Sequence, residues 1–178
     1  HAVGNYGKQE IVSNTVEGGI HRYNYSSWGE RTKKLANALK SLNLNQGDKV
    51  GTLAWNGYRH LEIYYATSCS GLICHTLNPR LHPDQVSYIV NHAEDKVLCV
   101  DLNILPLIEK ASENFKTVEA LVIMTDEKNM IKPNIKDGIK VICYEEFIKD
   151  QSEEYIWPQL DEKTASSLCY TSGTTGNP

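Results

Sequence analysis

The chain has 178 residues, of which 40% are apolar and 22% charged. That is the balance of an ordinary folded domain, not of a disordered tail, a collagen-like fibre or a disulfide-packed miniprotein. Lys and Arg total 18 against 22 Asp and Glu, a net charge of −4, so no cationic field exists to hold nucleic acid. Apolar runs such as Leu121-Val122-Ile123-Met124 fall far short of the roughly 20 residues that cross a bilayer, which excludes a membrane span.

The hydrophobic period switches repeatedly between helix-like and strand-like, predicting an α/β fold with a layered sheet flanked by helices. Ser27-x-x-Glu30 reads as a capping box opening a first helix, with Trp28, Leu35, Leu39 and Leu42 on its buried stripe. Asn45-Gln46-Gly47-Asp48 is a turn into a strand at 49–54, and Asn56 is placed to cap a helix from Tyr58 to about Ser70. A strand at 72–76 follows. Pro83 then opens a third helix, preceded by His82, that carries Val86, Ile89, Val90 and Ala93 and leads to a strand at 96–100. A helix at 104–111, a strand at 120–124, a polar loop or hairpin at 127–138, a strand at 140–143 and a short helix at 145–149 come next. After an acidic, irregular stretch, the last strand at 165–170 runs straight into a turn rich in glycine and hydroxyls.

The five cysteines fall at 69, 74, 99, 143 and 169. Cys99, Cys143 and Cys169 lie in strand-like runs, where a thiol is expected as a small buried hydrophobe. Cys69 to His75 holds no C-x-x-C knuckle and no second Cys/His pair follows, so a metal site is set aside. The odd thiol count and the lack of a secretory segment at the start point to a reducing, cytoplasmic location. His60, His75, His82 and His92 are acid/base groups by type, but none is paired in sequence with a nucleophile. Arg80, in Asn78-Pro79-Arg80-Leu81, is read as part of a structural turn with a surface ion pair in preference to an anion site. Tyr58, Tyr64 and Tyr65 are read as core and interface rather than as a ligand pocket.

One segment carries distinctive chemistry: Tyr170-Thr171-Ser172-Gly173-Thr174-Thr175-Gly176-Asn177-Pro178. Gly173 and Gly176 free the backbone for a tight turn whose N–H groups can converge on one anion. The hydroxyls of Thr171, Ser172, Thr174 and Thr175 add donors for phosphate oxygens and one oxygen ligand for Mg²⁺. A strand feeding the loop sets it at the carboxyl edge of a sheet, where α/β folds bind ligands. Two residues separate the glycines, so this is a phosphate cradle without the Walker A spacing. On composition alone, a plain polar turn fits equally well.

The string resembles, almost letter for letter, the phosphate-loop signature of the adenylate-forming acyl-CoA synthetase superfamily. The likeness covers nearly the whole chain. His21-Arg22-Tyr23-Asn24-Tyr25 is similar to the family's early strand leading to its first helix, and Asn45 to Val50 to its turn into a strand. Leu77-Asn78-Pro79-Arg80-Leu81, Tyr88 to Glu94 and Ser166 to Tyr170 resemble the branch of medium- and long-chain fatty-acyl-CoA synthetases and methylmercaptopropionate-CoA ligases.

The resemblance implies a two-step ligase dependent on ATP, Mg²⁺ and coenzyme A, acting on a small-molecule carboxylic acid through an acyl-adenylate. It implies that Thr171, Ser172, Gly173, Thr174, Thr175 and Gly176 hold the β- and γ-phosphates, with the Thr171 hydroxyl at Mg²⁺. It implies a homodimer through this N-terminal region, and it makes residues 1–178 the N-terminal part of the large adenylate-forming domain, ending inside the phosphate loop. A start at His1 and an end at Pro178 read as a truncation. In the family the loop lysine, the adenine and acyl sites and the mobile C-terminal domain lie further on, so no catalytic residue is assigned here and this polypeptide alone is expected to be inactive. Two alternatives remain at this point: a stand-alone nucleotide-binding module, and a non-catalytic dimerisation or scaffold domain.

Overall fold

The computed structural model describes residues 1–171. It opens with a short helix, α1 (Ala2–Tyr6), and an antiparallel hairpin of β1 (Glu10–Asn14) and β2 (Ile20–Asn24). The sequence did not disclose α1 or β1. Neither holds a buried residue, so neither leaves an apolar pattern to read.

Asn24 ends β2 in an extended conformation and caps α2 (Tyr25–Lys40), its side chain accepting from the Ser27 amide at 3.0 Å. Ser27 therefore lies in the first turn of the helix and is not its cap. Leu35 and Leu39 are buried as expected, whereas Trp28 is only half-buried and Leu42 packs on the core from beyond the helix end. At the next turn Gly47 has φ 88°, a conformation that favours glycine, and the Asp48 carboxylate accepts from the Asn45 amide at 2.8 Å. The chain continues into β3 (Lys49–Leu53) and α3 (Tyr58–Cys69). Gly57 stands at the N-cap of α3 without a side-chain bond, so Asn56 sits one residue too early to cap it.

β4 (Ile73–Thr76) leads to α4 (Pro83–Ala93), where His82 and Gln85 form a reciprocal capping box. Then come β5 (Asp95–Val100), a 3₁₀ turn into α5 (Leu105–Ala111), β6 (Ala120–Ile123), β7 (Lys140–Cys143), α6 (Tyr144–Lys149) and β8 (Ser167–Cys169). The segment between β6 and β7 is a loop with one 3₁₀ turn, not a hairpin.

Six strands make one parallel sheet in the order β7-β6-β5-β3-β4-β8. Alternate residues supply its two faces. Val97, Cys99, Ala120 and Val122 pack under α2, α3 and α6, while Leu98, Val100, Leu121 and Ile123 pack under α4 and α5. Burial on both faces explains why β5 and β6 read as nearly continuous apolar runs. Each fully buried aliphatic side chain contributes about 1.5–3 kcal/mol.

A polar cluster ties the helices of the first face together. Arg31 of α2 donates to Glu62 of α3 at 2.8 Å and to both oxygens of Glu145 of α6 at 3.0 and 3.1 Å. Arg59 and the Tyr58 hydroxyl of α3 also donate to Glu145, at 2.8 and 3.0 Å. The buried Tyr144 hydroxyl donates to Glu62 at 2.6 Å, and Arg59 reaches Glu17 in the turn between β1 and β2 at 2.7 Å.

Candidate functional site

Open α/β sheets bind ligands beyond the carboxyl ends of their strands, most often where the strand order reverses. Here the reversal falls between β3 and β5. The cavity at that point, lined by Glu17, Trp55, Asp101 and Met124, measures about 30 Å³, room for a single water. A larger cavity of about 190 Å³ opens two strands away, at the carboxyl end of β8, between Thr76, Leu77, Asn78, Leu81, Tyr170 and Thr171. Of these two cavities the one at the β8 edge is the roomier, although larger open hollows of about 280 and 540 Å³ lie beside Asn56 and His60 and beside Val3 and Tyr6.

β8 is short and pairs in parallel with β4: Cys74 with Ser167, His75 with Leu168, and Thr76 with Cys169. Ser167 and Cys169 are exposed and Leu168 is half-buried. Cys169 is thus no core residue, contrary to expectation, because β8 forms one edge of the described sheet; Cys143 is half-buried and Cys99 buried. Thr171 follows Tyr170 at the carboxyl edge with its side chain exposed. Ser172, Gly173, Thr174, Thr175 and Gly176, assigned to the phosphate cradle, lie outside the described residues.

The four histidines separate into distinct environments. His60 is buried, with its ring nitrogens on the Thr52 hydroxyl and the Trp55 carbonyl, and burial lowers its pKa. His82 caps α4. His75 is fully buried, and its Nδ1 donates to both carboxylate oxygens of Asp95 at 2.8 and 2.9 Å. Asp95 is also fully buried; burial raises its pKa, and the bond and charge of His75 offset that only in part. Gly51 makes this pairing possible. A Cβ there would stand 2.8 Å from Asp95 Oδ2 and 2.5 Å from Leu98 Cδ2, so a side chain would close the path from β5 to β4. The Tyr170 ring lies 5.3 Å from the His75 ring, and its hydroxyl hydrogen-bonds His92 Nδ1 in the last turn of α4. Sequence reasoning treated His75 and His92 singly and passed over Asp95. Gly51 inside a strand was the available signal, since such a glycine marks a close approach.

The remaining candidates take structural places. Arg80 is exposed in the turn after β4, where the Asn78 side chain accepts from its amide, and it makes no ion pair among the described residues. Tyr58 is 6% exposed in the core, while Tyr64 and Tyr65 are 37% and 47% exposed, so the trio divides between core and surface. The described residues hold no group of three or more His, Cys, Asp or Glu side chains able to hold a metal ion, and no helix among them is long and apolar enough to cross a membrane.

A parallel sheet with helices on both faces is the layout of an open α/β domain, the class that takes ligands beyond the carboxyl ends of its strands. The model of the AMP-binding enzyme family matches residues 1–178, and the chain belongs to that family. It is 44% identical to a medium-chain-fatty-acid–CoA ligase of Ectopseudomonas oleovorans, over all of this chain and 32% of that protein. It is also 44% identical to a 3-methylmercaptopropionyl-CoA ligase of Ruegeria pomeroyi, again over all of this chain and 32% of the relative. The fold matches the crystal structure of the anthranilate CoA ligase AuaEII in complex with anthranoyl-AMP, with a TM-score of 0.81 and 24% identity over 99% of this chain and 32% of that one. The chain thus spans about a third of the length of these relatives.

Proposed function

We propose that this chain is part of an ATP-dependent acid–CoA ligase. The carboxylate attacks the α-phosphorus of ATP, giving an acyl-adenylate and pyrophosphate, and the coenzyme A thiol then displaces AMP to form the thioester. The observation that carries this reading is the 44% identity to two acid–CoA ligases over the full chain. A medium-chain-fatty-acid–CoA ligase and a long-chain-fatty-acid–CoA ligase among the relatives support a medium- or long-chain fatty acid, or an acid of similar character, as substrate.

In this reading the loop from Thr171 to Gly176 holds the β- and γ-phosphates. Thr171 fits a Mg²⁺ contact in one respect: the residue is exposed just past the carboxyl end of β8, where its hydroxyl can be one oxygen ligand to an ion that keeps most of its waters. When bound, Mg²⁺ neutralises phosphate charge there. No residue of this chain need act as general base, because a carboxylic acid is already ionised at neutral pH. The chain's contribution is orientation and charge placement at the phosphates.

The half-exposed Tyr64 and Tyr65 of α3 support a homodimer through this region. Five cysteines without a disulfide among them support the cytoplasm as its compartment. The test is acid-dependent ATP–pyrophosphate exchange by the full-length protein, across acids from propionate to palmitate. Exchange is expected with the longer acids, and the purified 178-residue chain is expected to stay at background. Absence of exchange with every acid would overturn the ligase reading. Light scattering at high concentration that gives a monomer mass would remove the dimer.

A further inference from the structure

We propose that Tyr170 is a positioning residue for the phosphate loop, clamped between His75 beneath its ring and His92 at its hydroxyl. This rests on the ligase reading above and names the part of the structure that fixes where the loop begins.

At its start β8 is held by the backbone ladder to β4 and by the Ser68 hydroxyl of α3, which donates to the Ser166 carbonyl at 2.9 Å; its carboxyl end depends on side chains. β8 is a short strand bonded to β4 on one side, and its exposed Ser167 and Cys169 add nothing to the core. Its side-chain anchors are the half-buried Leu168 and the ring of Tyr170, which packs against the cluster beneath α4 and α5. Tyr170 is also the last residue before Thr171, so wherever it is held, the loop starts.

The contacts that hold it come from three separate elements. His75 of β4 is locked by Asp95 of β5, with both side chains fully buried, and the Tyr170 ring lies over it at 5.3 Å and 43°. His92 of α4 binds the hydroxyl, its ring edge-on to Tyr170 at 85°, and Tyr88 stacks on His92 at 22°. The buried Asp95–His75 pair is out of keeping with its surroundings. The buried apolar strand residues around it on that face are Leu, Val and Ile, and an apolar pair could pack there without the desolvation cost of a buried carboxylate. His75 Nε2 is moreover buried without a partner among the described residues. What the pair supplies and an aliphatic pair would not is a rigid, flat, polar-edged seat in a fixed rotamer. The residue seated on it is Tyr170.

The test is steady-state pyrophosphate exchange in the full-length ligase carrying Tyr170→Phe, Tyr170→Leu, His92→Ala or His92→Asn, with KM measured separately for MgATP and for the acid. Tyr170→Phe and His92→Ala each lose one hydrogen bond. They are expected to raise KM for MgATP about 3- to 10-fold while KM for the acid stays unchanged. Tyr170→Leu also loses the ring and should raise it further. His92→Asn, whose side-chain oxygen can stand near the position of Nδ1, should restore most of the loss. Tm is expected to stay within about 3 °C of wild type, since the hydroxyl contact is at the surface. MgATP KM values unchanged in Tyr170→Phe and His92→Ala, or an equal rise for the acid accompanied by a fall in Tm, would overturn the clamp and leave the ligase reading intact. A wild-type enzyme without exchange would overturn both.

Discussion

Removing the Glu145 side chain is expected to loosen three helices at once. Its carboxylate accepts four hydrogen bonds, from both terminal nitrogens of Arg31, from Arg59 Nε and from the Tyr58 hydroxyl, all between 2.8 and 3.1 Å. Breaking a buried pair by deleting one partner costs about 3–5 kcal/mol. Glu145 is 23% exposed at its side chain, so water screens part of this and re-solvates the stranded guanidiniums. Arg31 also keeps Glu62, and Arg59 keeps Glu17. The loss for Glu145→Ala should therefore be about 2–3 kcal/mol at pH 7, below the fully buried range. In a domain of this size that lowers Tm by about 4–12 °C. Glu145→Gln, which keeps the volume and one acceptor oxygen, should lose about half as much.

The pH dependence provides a sharper check. Burial alone would raise the Glu145 carboxyl, but the bonds and charges of Arg31 and Arg59 outweigh it and hold the pKa below the usual value of 4.5. A carboxylate depressed in the folded state stabilises fully above its unfolded pKa, and that stability drains away as pH falls through the folded value. The gap between wild type and Glu145→Ala should accordingly be constant above about pH 5.5 and shrink as pH drops below 4.5. Urea unfolding followed by circular dichroism at several pH values measures this. A gap under about 0.5 kcal/mol, or one that widens toward acid, would refute the account and place Glu145 among ordinary surface ions.

Three further outcomes follow from particular contacts. Gly51→Ala should destabilise by about 1–3 kcal/mol in a urea titration, because its Cβ would press on Leu98 and on an Asp95 that the His75 bonds hold in place. Asn24→Ala should cost about 1 kcal/mol while Ser27→Ala stays within about 0.5 kcal/mol, since only Asn24 caps α2; the reverse ranking in thermal melts would restore Ser27 as the cap. A thiol reagent on the native chain should label Cys169 first and Cys69 more slowly, because burial raises the Cys69 thiol, and leave Cys74 and Cys99 untouched until unfolding; fast labelling of either would contradict their burial.

The legible parts of the fold were those whose signal is local. β5 and β6 are covered on both faces and so read as apolar runs, and α4 declares itself through Pro83, the His82 cap and the spacing of Val86, Ile89 and Val90. The first helix was found but its start was misjudged. Ser27-x-x-Glu30 fits the capping pattern, yet the extended backbone of β2 carries the chain only to Asn24, and the helix begins there. The hairpin escaped notice because β1 turns Val12 outward, 49% exposed, and buries nothing in exchange. The network around Glu145 was unreadable for a different reason. Its partners stand 31 to 114 residues apart along the chain, and only the layering of α2, α3 and α6 brings them together.

The candidate site divides along the same line. The chemistry proposed for it is carried by a contiguous string from Tyr170 to Gly176, since a loop that is to wrap one anion must draw its donors from neighbouring residues. Its position is not written there. A loop at the end of a weakly buried strand is located by whatever holds the strand, and the groups that hold Tyr170 come from β4, β5 and α4, each chosen by the sheet order and by the space left at Gly51. A motif can therefore be complete in sequence and still be delivered to the wrong place. The buried Asp95–His75 pair is a costly feature among Leu, Val and Ile neighbours, and the proposed anchor for the residue before the loop would account for it.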